Sequence, residues 1–272
     1  MTTVTASRWG RWLFVGIWVV GLALLALAAA GILPGHPTLT IVIILSLCVT
    51  IAVGVMSQRC GFFARPVLRV EGAPNLCSLT FDDGPDPQFT PRVLELLARH
   101  GHRATFFVIG ERAARHPELV RRLVEEGHEV GNHTTGHPWH LALWPASRVA
   151  AELSRASDQI ERAAGVRPVL FRPPAAILSP RVAAGGRAAG LTLLGFSVRA
   201  GDGSPLVSAA LALRRLARGL RPGAILLLHD AARRAGAPPV SLEVLPELCA
   251  AMERAGLRSV PVSELMGPAR PT

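Results

Sequence analysis

The sequence predicts an α/β protein, in which one barrel-like domain of alternating strands and helices follows a hairpin of two membrane-spanning helices. Three observations support this prediction. Two long uncharged segments lie near the N-terminus, short apolar runs alternate with amphipathic stretches from Gly72 onward, and no internal repeat divides the chain. Such alternation is typical of a parallel sheet or barrel. With 272 residues, half of them hydrophobic, the chain is long enough for one large domain and an appendage.

The two N-terminal segments are long enough to cross a bilayer as helices. Residues 12–33 and 39–56 carry no charged side chain, and the sequence PGHPT is all that separates them. So short a connection is a tight turn between two helices, not a domain. We therefore expect a membrane hairpin over residues 1–57, with its helices at about 12–33 and 39–56.

A cleaved signal peptide is the alternative interpretation of the first segment. Arg8 and Arg11 precede it, and the sequence ALAAAG offers small residues for cleavage after Ala30. The segment is longer than the apolar region of about 7 to 15 residues in a signal peptide, and a second apolar segment follows at once. The hairpin is therefore the favoured interpretation.

The positions of the arginines predict which side of the membrane the domain faces. The arginines that flank the hairpin, with none in its turn, are Arg8, Arg11, Arg59, Arg65 and Arg69. Because positive charge is enriched in cytoplasmic loops, both ends are expected in the cytoplasm, next to membrane lipid. Cleavage of the first segment would leave the same orientation. An extracytoplasmic domain is the alternative if one segment does not span the membrane.

The composition argues against a nucleic-acid partner. The formal net charge is +10, but the arginines are scattered among alanines and are not gathered with aromatic residues. Some affinity for anionic lipid headgroups is the simpler expectation. The four cysteines show no metal-binding or redox spacing, so no disulfide framework is indicated.

Beyond the hairpin we expect a linker over residues 58–73, the barrel-like domain over 74–266 and a tail over 267–272. About seven strands are expected in the domain, because short apolar runs bounded by turn residues are typical of buried strands. They are LCSLTF, ATFFVIG, HEVGNH, PVLFR, LTLLGFSV, AILLLHD and LRSVPV.

Helices are expected between these strands. The sequence TPRVLELLARHG places Thr90 as N-cap, Pro91 at the first helical position and Gly101 just past the end, and Pro117 and Gly127 bound a second helix in the same way. Further helices are predicted over residues 145–164, 180–189, 206–220 and 242–255.

Polar residues fall at the C-terminal ends of the predicted strands. They are Asp82, Asp83, His133, Arg172, Asp202, His229 and Asp230. The C-terminal ends of parallel strands meet on one rim of a barrel, where catalytic groups gather. The sequence therefore predicts that these side chains form one site.

Two histidines in the sequence GNHTTGHPWH predict a metal site. His133 and His137 are four residues apart, close enough for both imidazoles to reach one ion, and a carboxylate from the first strand would complete three ligands. His140 is a possible additional ligand. The adjacent carboxylates of Asp82 and Asp83 repel each other, and a cation held by one of them would offset that repulsion.

Four motifs in this order resemble those of the polysaccharide deacetylases, also called NodB-homology domains or carbohydrate esterase family four. They are TFDDGP, HTTGH, FRPP and LLLHD, and the resemblance covers about Leu76 to Met266. It implies a distorted (β/α)7-type barrel. It also implies hydrolytic removal of an N-acyl group from an amino sugar with the help of one divalent metal ion.

The resemblance assigns a role to each matching residue. Asp83, His133 and His137 would hold the metal ion, which activates a water molecule, and Asp82 would be the general base. Zinc is the expected ion, while cobalt, nickel and iron also suit one aspartate with two histidines.

The remaining assignments concern the acid and the orientation of the base. His229 would be the general acid, Asp202 would tune it, and Arg172 would hold the base Asp82. The sequence departs from the family pattern after the Arg-Pro-Pro motif, at Ala175 and Ala176, and around Asp202. Arg199 stands in place of an acidic residue and Gly203 in place of a tryptophan. These changes remove aromatic surface on which a sugar could stack.

The sequence thus predicts a metal-dependent hydrolase that removes an N-acyl group, expected to be acetyl, from an amino sugar in a polysaccharide or a lipid-linked glycan. The alternative is a membrane-tethered NodB-like module that binds or assembles with little turnover. Because a binding module needs neither a base nor an acid, Asp82 and His229 favour the enzyme. The sequence makes no prediction of oligomeric state.

Overall fold

The computed structural model describes residues 2–5, 9–32, 36–204, 206–231 and 237–267. Arg8, part of the hairpin turn and most of the predicted tail lie outside the described residues. The strands are β1 (Thr2–Thr5), β2 (Val67–Glu71), β3 (Leu76–Asp82), β4 (Ala104–Val108), β5 (Glu129–Asn132), β6 (Leu170–Phe171), β7 (Thr192–Leu193), β8 (Val198–Arg199), β9 (Ile225–His229) and β10 (Arg258–Ser259). The helices are α1 (Gly10–Ala29), α2 (Pro37–Met56), α3 (Thr90–Arg99), α4 (Gly110–Arg115), α5 (Pro117–Glu125), α6 (Ala146–Ala164), α7 (Pro180–Ala188), α8 (Ala209–Gly219), α9 (Ser241–Arg254) and α10 (Val262–Met266).

A curved parallel sheet with helices packed around it forms the body of the domain. The strands pair in the order β7-β6-β5-β4-β3-β9-β8, and β10 pairs with the start of β3. The central strands β3 and β9 read as nearly continuous apolar runs because helices cover the sheet. The predicted α/β barrel-like fold is confirmed.

The sequence LTLLGFSV was predicted to form one strand, but it forms two short strands. β7 lies at one edge of the sheet and β8 at the opposite edge. The residues between them cross the open side of the barrel, where Gly195 N donates to Val67 O at 2.8 Å and Ser197 N donates to Ile225 O at 3.0 Å. The segment between β7 and β8 is apolar because it packs against the barrel. Its composition therefore resembles that of a strand, which explains the wrong prediction.

The helix start at Thr90 also differs slightly from the prediction. The N-cap residue of α3 is Phe89, and Thr90 is the first helical residue. Its hydroxyl accepts a hydrogen bond from Asp86 N at 2.8 Å and donates one to the carboxylate of Asp230 at 2.5 Å. The predicted end is correct, since Gly101 follows the helix with a φ of 63°.

The helices α1 and α2 are both long and apolar enough to span a membrane. Their mean hydropathies are 2.4 and 2.8, and only 6% and 11% of the respective windows are buried. A core helix of a soluble protein would be mostly buried, which these helices are not. They contact each other, and Trp18 Nε1 donates to Thr50 Oγ1 at 3.1 Å. A signal sequence remains an alternative for α1 by length and composition.

The end of α2 is joined directly to the barrel. Leu178 N donates to Val55 O at 3.2 Å, and the side chain of Gln58 donates to Ala176 O at 3.4 Å. Arg59 donates to Ser197 O at 2.9 Å. Part of the segment expected to be a linker forms β2, which pairs with β1 in an antiparallel ladder. The hairpin is therefore attached beside the loop that follows β6.

Candidate metal centre and catalytic site

The two adjacent aspartates leave β3 in different directions. Asp82 is the last residue of the strand and lies in register with His229 of the neighbouring β9. Asp83 has a φ of 75°, which turns the chain away from the strand direction. As a result Asp82 contacts Arg172, whereas Asp83 approaches His133 and His137.

The loop after β5 carries the two histidines and is held by buried side chains. Asn132, directly before His133, accepts a hydrogen bond from Thr134 N at 2.8 Å and donates to Leu153 O at 2.8 Å. Glu152, which is buried on α6, accepts from Thr135 N at 3.0 Å. Sequence reasoning missed both supporting residues. Asn132 could have been found from the sequence, because it is a polar residue at the end of a predicted strand. Glu152 lies far along the chain from the histidines, and no feature of the sequence near it indicates its contact with the loop that carries them.

The predicted ligand atoms converge. Asp83 Oδ1 lies 3.3 Å from His133 Nε2 and 3.2 Å from His137 Nε2, and the three ligand atoms all lie within 4.8 Å of one another. His140 is not a member of this group; its ring instead contacts those of Trp139 and Trp144.

The hydrogen bonds around these atoms leave a place for a cation. His133 Nδ1 donates to Arg172 O at 2.8 Å, which leaves the lone pair of the neutral ring on Nε2. Asp83 Oδ1 is buried and accepts no hydrogen bond from any described residue. Two lone pairs therefore face each other about 3.3 Å apart. A divalent cation fits this set of one carboxylate and two imidazoles.

The electrostatic surroundings keep Asp83 ionised, the form that binds a metal. Burial alone would raise its pKa, but the positive charges that His133, His229 and His137 carry when they are protonated and hold no metal ion outweigh burial and keep the pKa of Asp83 well below its usual value. A carboxylate that is ionised across the working pH range can act as a ligand without first losing a proton.

Arg172 lies fully buried beneath Asp82. Its Nη1 donates to Asp82 Oδ1 at 2.6 Å and to Thr80 Oγ1 at 2.9 Å, while Nη2 donates to Gly195 O at 3.0 Å. The guanidinium carbon also lies 4.3 Å from the centre of the Phe107 ring. The contact expected between Asp82 and Arg172 is therefore present, and it fixes the carboxylate at the end of β3.

His229 and Asp202 form a second charged pair on the same rim. His229 Nδ1 lies 2.8 Å from Asp202 Oδ1, and the backbone N of His229 donates to Asp202 Oδ2 at 2.9 Å. Burial alone would lower the pKa of His229, but the hydrogen bond and charge of Asp202, with the charges of Asp83 and Asp82, raise it to about 9. Because Nδ1 is taken by Asp202, the other ring nitrogen is left to act.

The structure shows the local conformation at two of the departures from the family pattern, the turn at Ala175 and Ala176 and the position of Gly203. Ala175 and Ala176 have φ values of 51° and 58°, so the turn after Arg172 runs through the left-handed region. Gly203 lies against the His229 ring: a Cβ there would be 3.3 Å from Cε1. The absence of a side chain at this position leaves His229 uncovered on that side.

A cleft of about 270 Å³ opens at the candidate metal ligands. Asp83 and His137 form one part of its wall, and Glu111, Arg112 and Arg115 of α4 form another. The sequence did not mark this short helix or its charged residues as part of the site, because nothing in their spacing distinguishes them from an exposed helical face. The arrangement can place a substrate between the candidate metal centre and the side chains of α4.

Comparison with known proteins establishes the family. A sequence model of the polysaccharide deacetylase family matches residues 69–194. The chain is 43% identical over 178 residues to the chitooligosaccharide deacetylase of Sinorhizobium fredii. This alignment covers 63% of this chain and 76% of that protein. A peptidoglycan-N-acetylglucosamine deacetylase of Bacillus cereus is 33% identical over 195 residues, covering 70% of this chain and 88% of the relative. The chain belongs to the polysaccharide deacetylase family, as its motifs indicated.

Solved structures show the same fold. A family 4 acetyl xylan esterase from Clostridium thermocellum, in complex with a cobalt ion, superposes with a TM-score of 0.64 at 32% identity, covering 70% of this chain and 89% of that one. A family 4 pseudoenzyme from Bacillus anthracis gives a TM-score of 0.66 at 23% identity, covering 77% of this chain and 72% of that chain. Members of the family use a divalent metal ion, which agrees with the donor set of Asp83, His133 and His137.

Replacement of His133 by alanine should remove stoichiometric metal, because it deletes the most buried of the three donors. The His140→Ala variant is the matched control and should keep its metal, since His140 lies outside the donor group. Metal content of the purified full-length proteins, measured by mass spectrometry, checks both. Full metal content in His133→Ala would contradict the assignment.

Proposed function

We propose that the chain is a metal-dependent N-deacetylase that removes an N-acyl group, in the simplest case acetyl, from an amino sugar. One observation supports this most directly. A paired carboxylate, Asp82, and a paired imidazole, His229, stand in register on adjacent strands beside the three candidate metal ligands. An amide needs a base to activate water and an acid to protonate the departing nitrogen, and this rim supplies both.

Asp82 is the proposed base. The guanidinium of Arg172 holds one oxygen, Oδ1, so the other oxygen, Oδ2, is the one proposed to accept the proton. Asp82 then accepts a proton from the attacking water as the oxygen of that water bonds to the acyl carbon. A divalent cation held by Asp83, His133 and His137 would polarise the acyl oxygen and acidify the water; zinc is the proposed ion, with cobalt, nickel or iron as alternatives.

His229 is the proposed acid. Asp202 holds its Nδ1, so Nε2 carries the proton that is transferred as the bond between the acyl carbon and the nitrogen breaks. The amine nitrogen takes this proton, and the acyl group leaves as a carboxylic acid. Asp202 stabilises the protonated ring in the same way that a carboxylate orients a catalytic histidine elsewhere.

The substrate is proposed to be an N-acetylated amino sugar of a glycan. The curated relatives are named for chitooligosaccharides and for the N-acetylglucosamine of peptidoglycan. Both names describe the same chemical group, an N-acetyl on a hexosamine. The aromatic surface lost at Ala175 and Gly203 argues for a substrate that differs from a long stacked polymer.

A metal-binding module with little turnover is the second candidate function. The likeness to a pseudoenzyme of the same fold shows that this fold alone does not establish catalysis. Here the acid and the base are both present, and each is held by its own partner, Asp202 and Arg172. Binding a metal requires neither pair. Release of acetate from N-acetylated amino sugars in the presence of added divalent metal distinguishes the enzyme from the module.

We also propose that α1 and α2 cross the membrane and that the catalytic domain faces the cytoplasm. The strands that flank the hairpin, β1 and β2, pair with each other, which supports placing both its ends on one side. The arginines lie at those ends and are absent from the turn.

The Asp82→Asn and His229→Ala variants should each keep their metal and lose turnover by roughly 10² to 10⁴, the usual contribution of a general base or acid. Both residues lie outside the group of ligand atoms, so metal content should not change. The kcat of each variant and its metal content are measured on the same preparation. A variant that turns over at nearly the wild-type rate would remove its residue from the mechanism.

The dependence of the deacetylase activity on pH should follow the protonation of His229. Its acid form is required, and since its pKa is raised to about 9, activity should persist up to that pH and fall as the pH rises through it. The Asp202→Asn variant removes the partner that raises this pKa, so the basic limb of kcat/KM should move down by about one unit or more. Asp158→Asn, on an exposed ion pair, is the control and should leave the limb in place. An unmoved limb in Asp202→Asn would show that another group controls it.

A reporter enzyme that is active only outside the cytoplasm tests the topology. Fused after Thr272 it should be inactive, and inserted in the hairpin turn after Gly35 it should be active, because the charge asymmetry places the two positions on opposite sides. Strong activity of the fusion after Thr272 would place the domain outside the membrane.

A further inference from the structure

An apolar cavity of about 520 Å³ lies where the membrane hairpin meets the rim of the barrel. We call it the junction cavity. Its walls include Val55 in the last turn of α2, Phe63, Trp139, Leu143 and Ile177. Its volume lies within the range of about 300 to 1,000 Å³ that is usual for ligand sites. The described residues of the hairpin and of the catalytic domain therefore share one concave surface.

The junction cavity adjoins the candidate active site through the chain itself. Trp139 follows the candidate ligand His137 by two residues. On the other side, the turn after Arg172 leads to Ile177, and the next residue donates its backbone N–H to Val55 O at 3.2 Å. Two loops that carry site residues therefore also form the cavity wall, and a hydrogen bond ties one of them to the membrane helix.

The lining of the junction cavity is suited to a hydrocarbon chain. Trp139 is 74% exposed and Leu143 is 70% exposed. Exposed apolar side chains grouped around a concavity mark a binding surface, because their contact with water is unfavourable. The cavity begins at the end of α2, which is proposed to span the membrane, so in that topology a chain could enter it from the bilayer without crossing water.

One cation stands in the wall of the junction cavity. The guanidinium of Arg181 lines it, and Nη1 of Arg181 donates to Leu143 O at 3.0 Å, which fixes the charge beside the apolar surface. Arginine binds phosphate well because its planar group presents several donors at once. The cavity thus combines a surface for an apolar chain with a charge for a phosphate.

We propose that the junction cavity binds the hydrocarbon chain of a lipid-phosphate-linked amino sugar, whose sugar then reaches the cleft at Asp83 and His137. This inference rests on the proposed deacetylase function and names the class of its substrate. A polar wall polymer would gain little from Val55, Leu143 and Ile177. A chain anchored in the bilayer gains from burying its methylene groups there.

The Leu143→Asp variant tests the proposal, because an ionised carboxylate in the wall disfavours a hydrocarbon chain. Leu143 is exposed, so the change should not unfold the protein. For the full-length protein in lipid nanodiscs, the KM for a polyprenyl-phosphate-linked N-acetylglucosamine should rise by about tenfold or more relative to the KM for a soluble N-acetylglucosamine oligomer. Val169→Asp is the matched control, since Val169 is also exposed but does not line the cavity; it should leave this ratio unchanged.

A binding measurement separates this proposal from the deacetylase itself. A photoreactive polyprenyl phosphate without a sugar should label the segment from Trp139 to Leu143, and the label should be lost in Leu143→Asp but kept in Val169→Asp. Excess polyprenyl phosphate should compete, whereas phospholipid should not.

Three results would overturn the proposal: equal KM changes for both substrates, which indicate a polymer site; competition by phospholipid, which indicates a bulk-lipid site; or normal deacetylation without labelling. Labelling at the cavity with no deacetylation of either substrate would support the chain-binding site and reject the proposed function.

Discussion

The buried guanidinium of Arg172 is the constraint around which the site is built. Taking a charge out of water is tolerated when it is paired and hydrogen-bonded, and the partners of Arg172 come from separate parts of the barrel. Asp82 and Thr80 belong to β3, and the carbonyl of Gly195 belongs to the segment that crosses between β7 and β8. One side chain therefore holds together the central strand β3, the closing segment and the end of the short strand β6, which Arg172 directly follows.

The same residue links the proposed base, Asp82, with the candidate metal ligands. Its side chain fixes Asp82, and its backbone carbonyl accepts the Nδ1 proton of His133, which directs the other nitrogen of that ring toward Asp83. β6 is two residues long and pairs with β5 through a single register pair. The position of this short strand consequently sets the proposed base and one candidate metal donor at once.

Much of the fold and of the candidate site could be predicted because the signals are local. The glycines and prolines marked the helix ends, and polar residues after apolar runs marked the rim. The splitting of LTLLGFSV could not be predicted, since a segment that crosses the barrel is as apolar as a strand. The contacts made by Gln58 and Glu152 involve residues far away in sequence, so no local sequence pattern predicts them.

The ladder between β1 and β2 makes the order of events during synthesis matter. β1 precedes the hairpin and β2 follows it, and the two strands pair over Thr2 to Thr5. Backbone hydrogen bonds cannot form across a bilayer. A chain with only one of the two helices inserted would therefore have β1 and β2 on opposite sides of the membrane. β2 also closes the barrel, where Val67 pairs with Leu194 and Arg69 with Ala224. With both helices spanning the membrane as proposed, insertion of the hairpin and completion of this edge of the barrel are one coupled step, and a misinserted chain is left with β1 unpaired.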